Sequence, residues 1–246
     1  MTDITRLWQR WCLSGIVITL LVVGTLVVAL LEKSSWKQEI ARRSTSLNNL
    51  RNVALATHQY AVAFQAVIPA GGRRSDVDPQ WSWAVQLLPY LEHERSYRRV
   101  DFSQPWSSDQ NRKWLSFEIR VFLNPGESNR SPVDGFAITH QTANSRVFGP
   151  REGISLDQAI RWDGTDSTLM LGEIGAAFPP WAKPGNVRDP ARGTGGGPEQ
   201  WGRGDGSGCH VMFLGGNGRY LSPRIAPEVL ELLADPNNGV PDENEF

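Results

Sequence analysis

The stretch WCLSGIVITLLVVGTLVVALL, from Trp11 to Leu31, contains 21 residues and no charged side chain. At the helical rise of 1.5 Å per residue it is about 31 Å long, close to the thickness of the hydrocarbon core of a bilayer. The chain then becomes polar, but no glycine or proline occurs between Gly24 and Pro69 to end a helix. The sequence therefore predicts one membrane-spanning helix that continues into water as a stalk, from about residue 12 to about residue 67.

A spanning helix that leads into a stalk, ahead of a body rich in glycine and proline, is typical of a pilin-like subunit. The alternative is a plain membrane anchor followed by a short amphipathic helix. A cleaved signal peptide is disfavoured, because its apolar region is usually about 7–15 residues long and no small-x-small cleavage site follows here. The orientation of the span in the membrane is less directly predicted, because a count of basic residues alone places the body inside the cell. Two basic residues precede the span and four follow it: Arg6, Arg10, Lys33, Lys37, Arg42 and Arg43.

Composition excludes several classes of partner and cofactor. The net charge is −1, so no general attraction to nucleic acid is expected. The two cysteines, Cys12 and Cys209, lie in the apolar stretch and in the body, so the body has no internal disulfide. No CxxC motif or Cys/His cluster is present to hold zinc. We therefore predict no metal, no cofactor and no nucleic-acid partner.

The stalk carries an amphipathic stripe. Leu47, Leu50, Ala54, Ala61 and Phe64 recur at spacings of three, four and seven residues, which places them on one helix face. This face must be buried against something. We expect its partner to be the protein's own sheet, with Leu50, Ala54, Ala61 and Phe64 in the contact. The alternative is a neighbouring subunit, which would make the stalk the interface of a homo- or hetero-oligomer.

Patterns in the body predict an α+β fold. Period-two alternation predicts half-buried strands, and 3.6-residue periodicity predicts helices. A run of glycines between two strand patterns predicts a hairpin turn. The expected elements are a helix at Trp83–Leu91, strands at Leu115–Leu123, Ser167–Ile174 and Cys209–Leu214, a turn at Gly215–Gly218, and a last helix from Pro227.

The run ARRSTSLNNLRNVALATHQY (Ala41–Tyr60) resembles the stalk of a large bacterial family of pilin-like proteins called domain of unknown function 1559. Further stretches are similar to motifs of that family in the same order: SW at Ser82–Trp83, LLPYLE at Leu87–Glu92, DGTDSTLMLGE at Asp163–Glu173, PWAKP at Pro180–Pro184, and VMFL with RYLS between Val211 and Ser222. The resemblance implies a long transmembrane and stalk helix packed on an antiparallel β-sheet ectodomain. It also implies a location in the bacterial inner membrane, with the ectodomain in the periplasm.

Three positions depart from the family's pattern. Gly15 is followed by IVITL, and no acidic residue lies in the span, so cleavage by a prepilin peptidase and glutamate-dependent filament assembly are not expected. In the late motif of a histidine, nine residues and Asp-Gly, Asp205 occupies the histidine position and Gly215-Gly216 replaces Asp-Gly. Asn124-Pro125-Gly126 stands where the family has CPS. We therefore expect no catalytic residue that acts through this late motif.

The most specific motif is interpreted as structural. Its residues are Asp163, Gly164, Thr165, Leu169, Gly172 and Glu173. Asp163 is expected to cap a turn, with Leu169 and Leu171 buried on the following strand and Met170 facing the other side. The competing interpretation is a calcium site made by Asp163, Asp166 and Glu173, although the spacing of a known calcium loop is absent. The four histidines, His58, His93, His140 and His210, lack ligand spacing and are expected to be structural or solvated.

These patterns divide the chain into a cytoplasmic tail (1–10), a transmembrane helix (11–31), a stalk helix (32–68) and an α+β ectodomain (69–246) with an acidic tail frayed from about residue 236. They leave three functions open. The first is a non-enzymatic, membrane-anchored pseudopilin-like protein of the cell envelope, associated with secretion or assembly. The second is a membrane-tethered domain that binds a solute, a glycan or a protein through exposed tryptophans such as Trp181 and Trp201. The third, a hydrolase, is disfavoured because no catalytic constellation is present.

Overall fold

The structure is a computed structural model, and it describes residue 33, residues 36–72 and residues 81–242. Contacts divide the chain into two units, residues 1–44 and residues 45–246. Trp11–Leu31 lies outside the described residues, so the membrane span remains a prediction. Among the residues that are described, no helix has the length and hydrophobicity needed to cross a bilayer. The described part of the first unit is helical, and Arg43 pairs with Glu39 one turn away at 2.8 Å.

The first helix, α1, covers residues 36–63. The remaining helices are short, and the strands form one sheet. The helices are α2 (Trp83–Gln86), α3 (Glu94–Tyr97), α4 (Asp109–Leu115), α5 (Leu156–Arg161) and α6 (Pro227–Ala234), with 3-10 turns at Leu88–Leu91, Arg120–Phe122 and Pro190–Arg192. The strands are β1 (Gln141–Asn144), β2 (Leu169–Glu173), β3 (Val187–Arg188), β4 (Cys209–Phe213) and β5 (Gly218–Leu221). The chain is α+β, as predicted.

Helix α1 ends four residues earlier than its sequence pattern predicts. Gln65 and Ala66 both adopt left-handed backbone conformations, with φ of 55° and 64°, and these break the helical repeat. The predicted contacts of Leu50, Ala54 and Ala61 are confirmed, since all three are at most 1% exposed. Phe64 is 49% exposed, so its predicted place in the buried stripe is wrong. It follows the last helical residue and stacks on Tyr60 with ring centroids 4.2 Å apart.

The sheet is mixed rather than wholly antiparallel. Its strand order is β3-β1-β2-β4-β5, and β1 pairs with β3 in parallel while the other three pairs are antiparallel. The hairpin between β4 and β5 is confirmed, with Met212 opposite Gly218. The predicted helix at Trp83–Leu91 is present as α2 followed by a 3-10 turn.

The predicted strand at Leu115–Leu123 is wrong. Ser108 accepts a hydrogen bond from the backbone N–H of Asn111 and starts α4, which ends at Leu115, and a 3-10 turn follows. Strand β1 was not predicted, because its sequence QTAN is polar although all four residues are buried. Burial on both faces of the sheet removes the alternation on which strand prediction depends.

A β-bulge in β2 decides which side chains face α1. Leu169 lies opposite Phe213, but Leu171 lies opposite Met212, so β2 has one residue more than β4 over this interval. Leu169 therefore packs in one hydrophobic cluster and Leu171 in another, on opposite faces of the sheet. The burial of both leucines is confirmed, but Met170 shares the cluster of Leu171, so the predicted simple alternation is wrong.

The two clusters lie on the two faces of the sheet. The larger contains Leu50, Val53 and Ala54 of α1 together with Met212 and other buried residues of the body. The smaller contains Trp201, Val211 and Phe213 together with three residues of α6: Val229, Leu230 and Leu233. The predicted packing of the carboxyl half of the stalk on the protein's own sheet is therefore confirmed for residues 45–63.

Asp163 connects the loop before β2 to the carboxyl-terminal segment. Its Oδ2 accepts hydrogen bonds from the backbone N–H groups of Asn238 (2.8 Å) and Gly239 (2.9 Å). Asp163 thus caps a turn, but the turn belongs to residues 236–239 and not to its own loop. Gly164 follows with φ of +88°, a conformation that side chains disfavour, which explains the glycine at this position.

These contacts predict different costs for two substitutions in one motif. Leu169→Ala leaves a cavity in the smaller cluster and should lower the free energy of unfolding by about 2–5 kcal/mol. Asp163→Ala removes two partly exposed hydrogen bonds and should lower it by about 1 kcal/mol. Thermal unfolding followed by circular dichroism should therefore give the lower melting temperature for Leu169→Ala. A calcium-dependent rise in melting temperature that Asp163→Ala abolishes would contradict this structural interpretation.

Candidate functional site

The most unusual group in the body is the carboxylate of Glu173, at the end of β2. Its side chain is 1% exposed, and it accepts hydrogen bonds from three different elements. Oε1 accepts from the hydroxyl of Ser46 in α1 and from Nδ2 of Asn124, the latter at 2.7 Å. Oε2 accepts from the backbone N–H of His210 at 2.8 Å and lies 3.2 Å from Nδ1 of the same residue. We call these four residues the Glu173 cluster.

The charge of Glu173 is stabilised by these donors. Burial raises the pKa of Glu173, but the hydrogen bonds and charge of His210 and the hydrogen bond from Ser46 act in the opposite direction. The net result is a pKa below the usual value of 4.5. Glu173 is therefore ionised at neutral pH, and the folded chain is more stable where this carboxylate is charged.

A buried histidine holds the loop that carries Asn124. The backbone N–H of Asn124 donates to Nδ1 of His140 at 3.0 Å, so the ring proton is on Nε2, which donates to the carbonyl of Asn129 at 2.8 Å. Burial lowers the pKa of His140 from 6.5, partly offset by these two hydrogen bonds. The ring is therefore neutral at neutral pH, and its lowered pKa reduces the stability of the fold as the pH falls below about 6.5.

The geometry of the Glu173 cluster suits a structural contact better than acid-base chemistry. Each carboxylate oxygen already accepts two contacts, so little capacity remains for a substrate proton. Ser46 donates to Glu173 and not to a histidine, which is not the arrangement that activates a serine nucleophile. Ser46, Glu173 and His210 are all buried, at 8% exposure or less.

The two tryptophans expected on an exposed binding surface are both buried, and this expectation is wrong. Trp181 and Trp201 are each 0% exposed, and each indole N–H donates to a backbone carbonyl: Trp181 to Phe117 at 2.9 Å and Trp201 to Arg188 at 3.3 Å. A side chain on Gly172 would meet ring atoms of Trp201 at 2.1 Å, so Gly172 is required for the close approach of this ring. Large indoles with a satisfied N–H are core residues here.

The three carboxylates of the alternative calcium site have different surroundings. Asp163 binds the carboxyl-terminal segment and Glu173 is enclosed by its own cluster. Thr165 accepts a hydrogen bond from the backbone N–H of Gly215 at 2.8 Å. Asp166 lies beside this glycine. Within the described ranges 36–72 and 81–242, no group of three or more histidine, cysteine, aspartate or glutamate residues is arranged to hold a metal ion.

Asp205 and Gly215, the two positions of the late motif, also contact different residues. A Cβ at Gly215 would lie 2.0 Å from Oδ1 of Asp166, so the glycine allows the turn to pack on that carboxylate. Asp205 accepts from the backbone N–H of Ser207 at 3.0 Å and lies 3.7 Å from the guanidinium of Arg203. An aspartate at position 215 would therefore place a second carboxylate beside that of Asp166.

The fold and the Glu173 cluster describe an α+β domain organised around a helix and a buried carboxylate. A family model described as a protein of unknown function (DUF1559) matches residues 37–205. The chain belongs to this family, as its motifs predicted. The match includes Ser46, Asn124 and Glu173, while His210 lies beyond it. No curated protein and no solved structure is significantly similar to the chain.

Sequence reasoning placed Glu173 in a motif but missed its partners. Ser46, Asn124 and His210 come from α1, the loop before β1 and β4, and their separations along the chain from Glu173 are 127, 49 and 37 residues. A spacing rule cannot connect such distant positions. The available signal was the glutamate itself, because an ionised group at the end of an apolar strand needs buried donors.

The surroundings of Glu173 predict a pH-dependent stability. Its pKa is lowered by folding, so its contribution is complete above about pH 4.5 and is lost as the pH falls through the lower value in the folded state. Glu173→Gln replaces one carboxylate oxygen with an amide N–H₂, which cannot accept the hydrogen bonds that this oxygen accepts. The substitution should lower the free energy of unfolding by about 2–4 kcal/mol at pH 7. The measurement is urea unfolding at pH 7, 5, 4 and 3.

The variant should also lose less stability between pH 5 and pH 3 than the natural chain does. Glu152→Gln is the matched control, because Glu152 is exposed and should leave both the stability and its pH slope unchanged. Equal slopes for the natural chain and Glu173→Gln would show that Glu173 does not carry the acid sensitivity.

Proposed function

We propose that the chain is a non-enzymatic, pilin-like subunit of the bacterial cell envelope, anchored by Trp11–Leu31 with its body in the periplasm. Family membership and the motif resemblance support this proposal. The observation that carries it is the two-sided character of α1. Residues 45–63 bury one face on the sheet, while the other face stays open.

The open face of α1 carries exposed apolar side chains, which a helix facing only water does not require for its stability. Val62 is 86% exposed on this helix, and Leu55 is 56% exposed two turns earlier. Apolar side chains at turn spacing on a long helix are suited to contact with a neighbouring helix. We infer that α1 associates with a second copy of the chain or with another envelope subunit.

A non-enzymatic role agrees with the state of the nucleophilic and basic groups. Glu173 is saturated with donors, and Nε2 of His58 is bonded to the carbonyl of Leu214 at 2.7 Å. Burial and the charge of Glu173 raise the pKa of the Cys209 thiol well above its usual value, so the reactive thiolate is scarce.

A second candidate function is a membrane-tethered binding domain for a solute, glycan or protein. Trp181 and Trp201 cannot serve it, because both are in the core. What favours it is an open groove of about 700 Å³ beside α1, a size common for ligand sites.

Association through α1 can be tested by disulfide crosslinking in living bacteria. The chain would carry Cys12→Ser to remove the cysteine of the apolar stretch, and Cys209 is completely buried. Val62→Cys on this background should form a disulfide-linked dimer on mild oxidation, seen on a non-reducing gel. A crosslink to a different protein would support the hetero-oligomer instead.

The control is Glu228→Cys, an exposed position on α6 that belongs to a different surface. It reports crosslinking by random collision at the same expression level. A Val62→Cys chain that crosslinks no more than Glu228→Cys would rule out α1 as the interface.

The periplasmic position of the body is tested by alkaline phosphatase fused after Phe246, since this reporter folds only outside the cytoplasm. We expect an active fusion, against the count of basic residues on the two sides of the span. The same fusion in a chain lacking residues 1–31 should be inactive. A stable but inactive full-length fusion would place the body in the cytoplasm.

A further inference from the structure

A groove of about 700 Å³ lies beside α1 in the second unit of the chain. One wall is α1 itself. The other walls are residues 90–93, at the end of the 3-10 turn at Leu88–Leu91, and residues 118–121, at the start of the turn at Arg120–Phe122. All of its lining residues lie between positions 52 and 121, within one compact unit. The groove is unrelated to the Glu173 cluster, since none of the four cluster residues lines it.

Five of the eleven residues that line the groove are apolar or aromatic. Leu55, Leu91, Ile119 and Val121 contribute aliphatic surface, and Tyr90 contributes a ring. Leu55 is 56% exposed, an unusual position for a leucine of a helix whose other face is fully packed. Apolar surface of this kind favours a ligand with exposed C–H groups.

The lining of the groove also includes polar side chains. Among the residues that the structure describes, the side chains of Asn52, Gln59, Glu92 and Arg120 make no hydrogen bond and no ion pair within 4.0 Å, and all four line the groove. Together they offer two amides, a carboxylate and a guanidinium, which combine donors and acceptors in one place. Burial lowers the pKa of His93, which also lines the groove, so its ring is neutral at neutral pH and adds one donor and one acceptor.

The chemistry of this lining distinguishes between classes of ligand. With neutral His93, the groove has a formal charge of −1 from Glu92, Glu118 and Arg120, which disfavours nucleotides and acidic polymers. None of the described lining residues belongs to a strand of the sheet, so an extended peptide finds no strand edge to which its backbone could add. Sugars present hydroxyl groups at their edges and C–H groups on their faces, which matches a lining that combines amides with apolar side chains.

We propose that this groove is a binding site for a short neutral oligosaccharide. In the proposed complex, hydroxyl groups of the oligosaccharide bond to Asn52, Gln59 and Glu92, while one sugar face lies on Leu55 and Tyr90. The proposal goes beyond the subunit role and deepens the second candidate function, on which it rests. Leu55 lines the groove and lies two turns from Val62, so the two roles are tested at different residues: oligomer contact at Val62, and ligand binding at Asn52 and Gln59.

The experiment uses the full-length protein and ligand-observed NMR with four defined trisaccharides. Three are neutral: cellotriose, maltotriose and triacetylchitotriose. The fourth, trigalacturonate, is acidic. At least one neutral trisaccharide should show saturation transfer and compete with itself on titration, and trigalacturonate should not. Binding of none of the three neutral probes, or equal binding of trigalacturonate, would overturn the proposal.

A pair of variants locates the site. The double variant Asn52→Ala/Gln59→Ala removes both amides that line the groove. It should weaken the affinity for the bound trisaccharide by about tenfold or more. Both residues are exposed, so the melting temperature should remain that of the natural chain. Asn48→Ala is the matched control, since Asn48 is on the same helix, is bonded to Arg51 and does not line the groove. Unchanged affinity in the double variant would place the binding elsewhere and refute this site.

Discussion

The buried carboxylate of Glu173 is the interaction on which the arrangement of the body depends. Removing an ionised group from water is expensive, and the cost is recovered only when most of its lone pairs receive donors. Those donors come from α1, from the loop before β1 and from β4. Because one anion must reach all three at once, their relative positions are restricted far more tightly than apolar contacts alone would require.

The position of Glu173 depends in turn on the bulge in β2. Side chains alternate between faces along a strand, so one extra residue reverses every position after it. Leu169 faces the cluster of α6, whereas Leu171 joins the cluster of α1, and Glu173 follows Leu171 to the same side. Gly172, between them, lies on the opposite face, where the Trp201 ring leaves no room for a side chain. The bulge therefore brings the carboxylate under α1.

The residues of α1 divide between two tasks. Ser46 and the apolar stripe connect the helix to the sheet, and the opposite side presents Val62 and the wall of the groove. In the proposed subunit, one side of the helix holds the domain together and the other is available to a neighbour or a ligand. The tryptophans do not share this second task, because their indoles fill the core and bond to backbone carbonyls.

The sequence by itself determined what depends on local pattern. It determined a helical stalk, although not its end at residue 63, together with strands β2 and β4, the hairpin to β5, helix α6 and the family. Periodicity, glycine turns and ordered motifs are all written in neighbouring residues. Only the tertiary structure decided the polar central strand β1, the parallel pairing with β3, the bulge and the partners of Glu173. These features depend on contacts between residues far apart in the chain, and such contacts leave no periodic trace in the sequence.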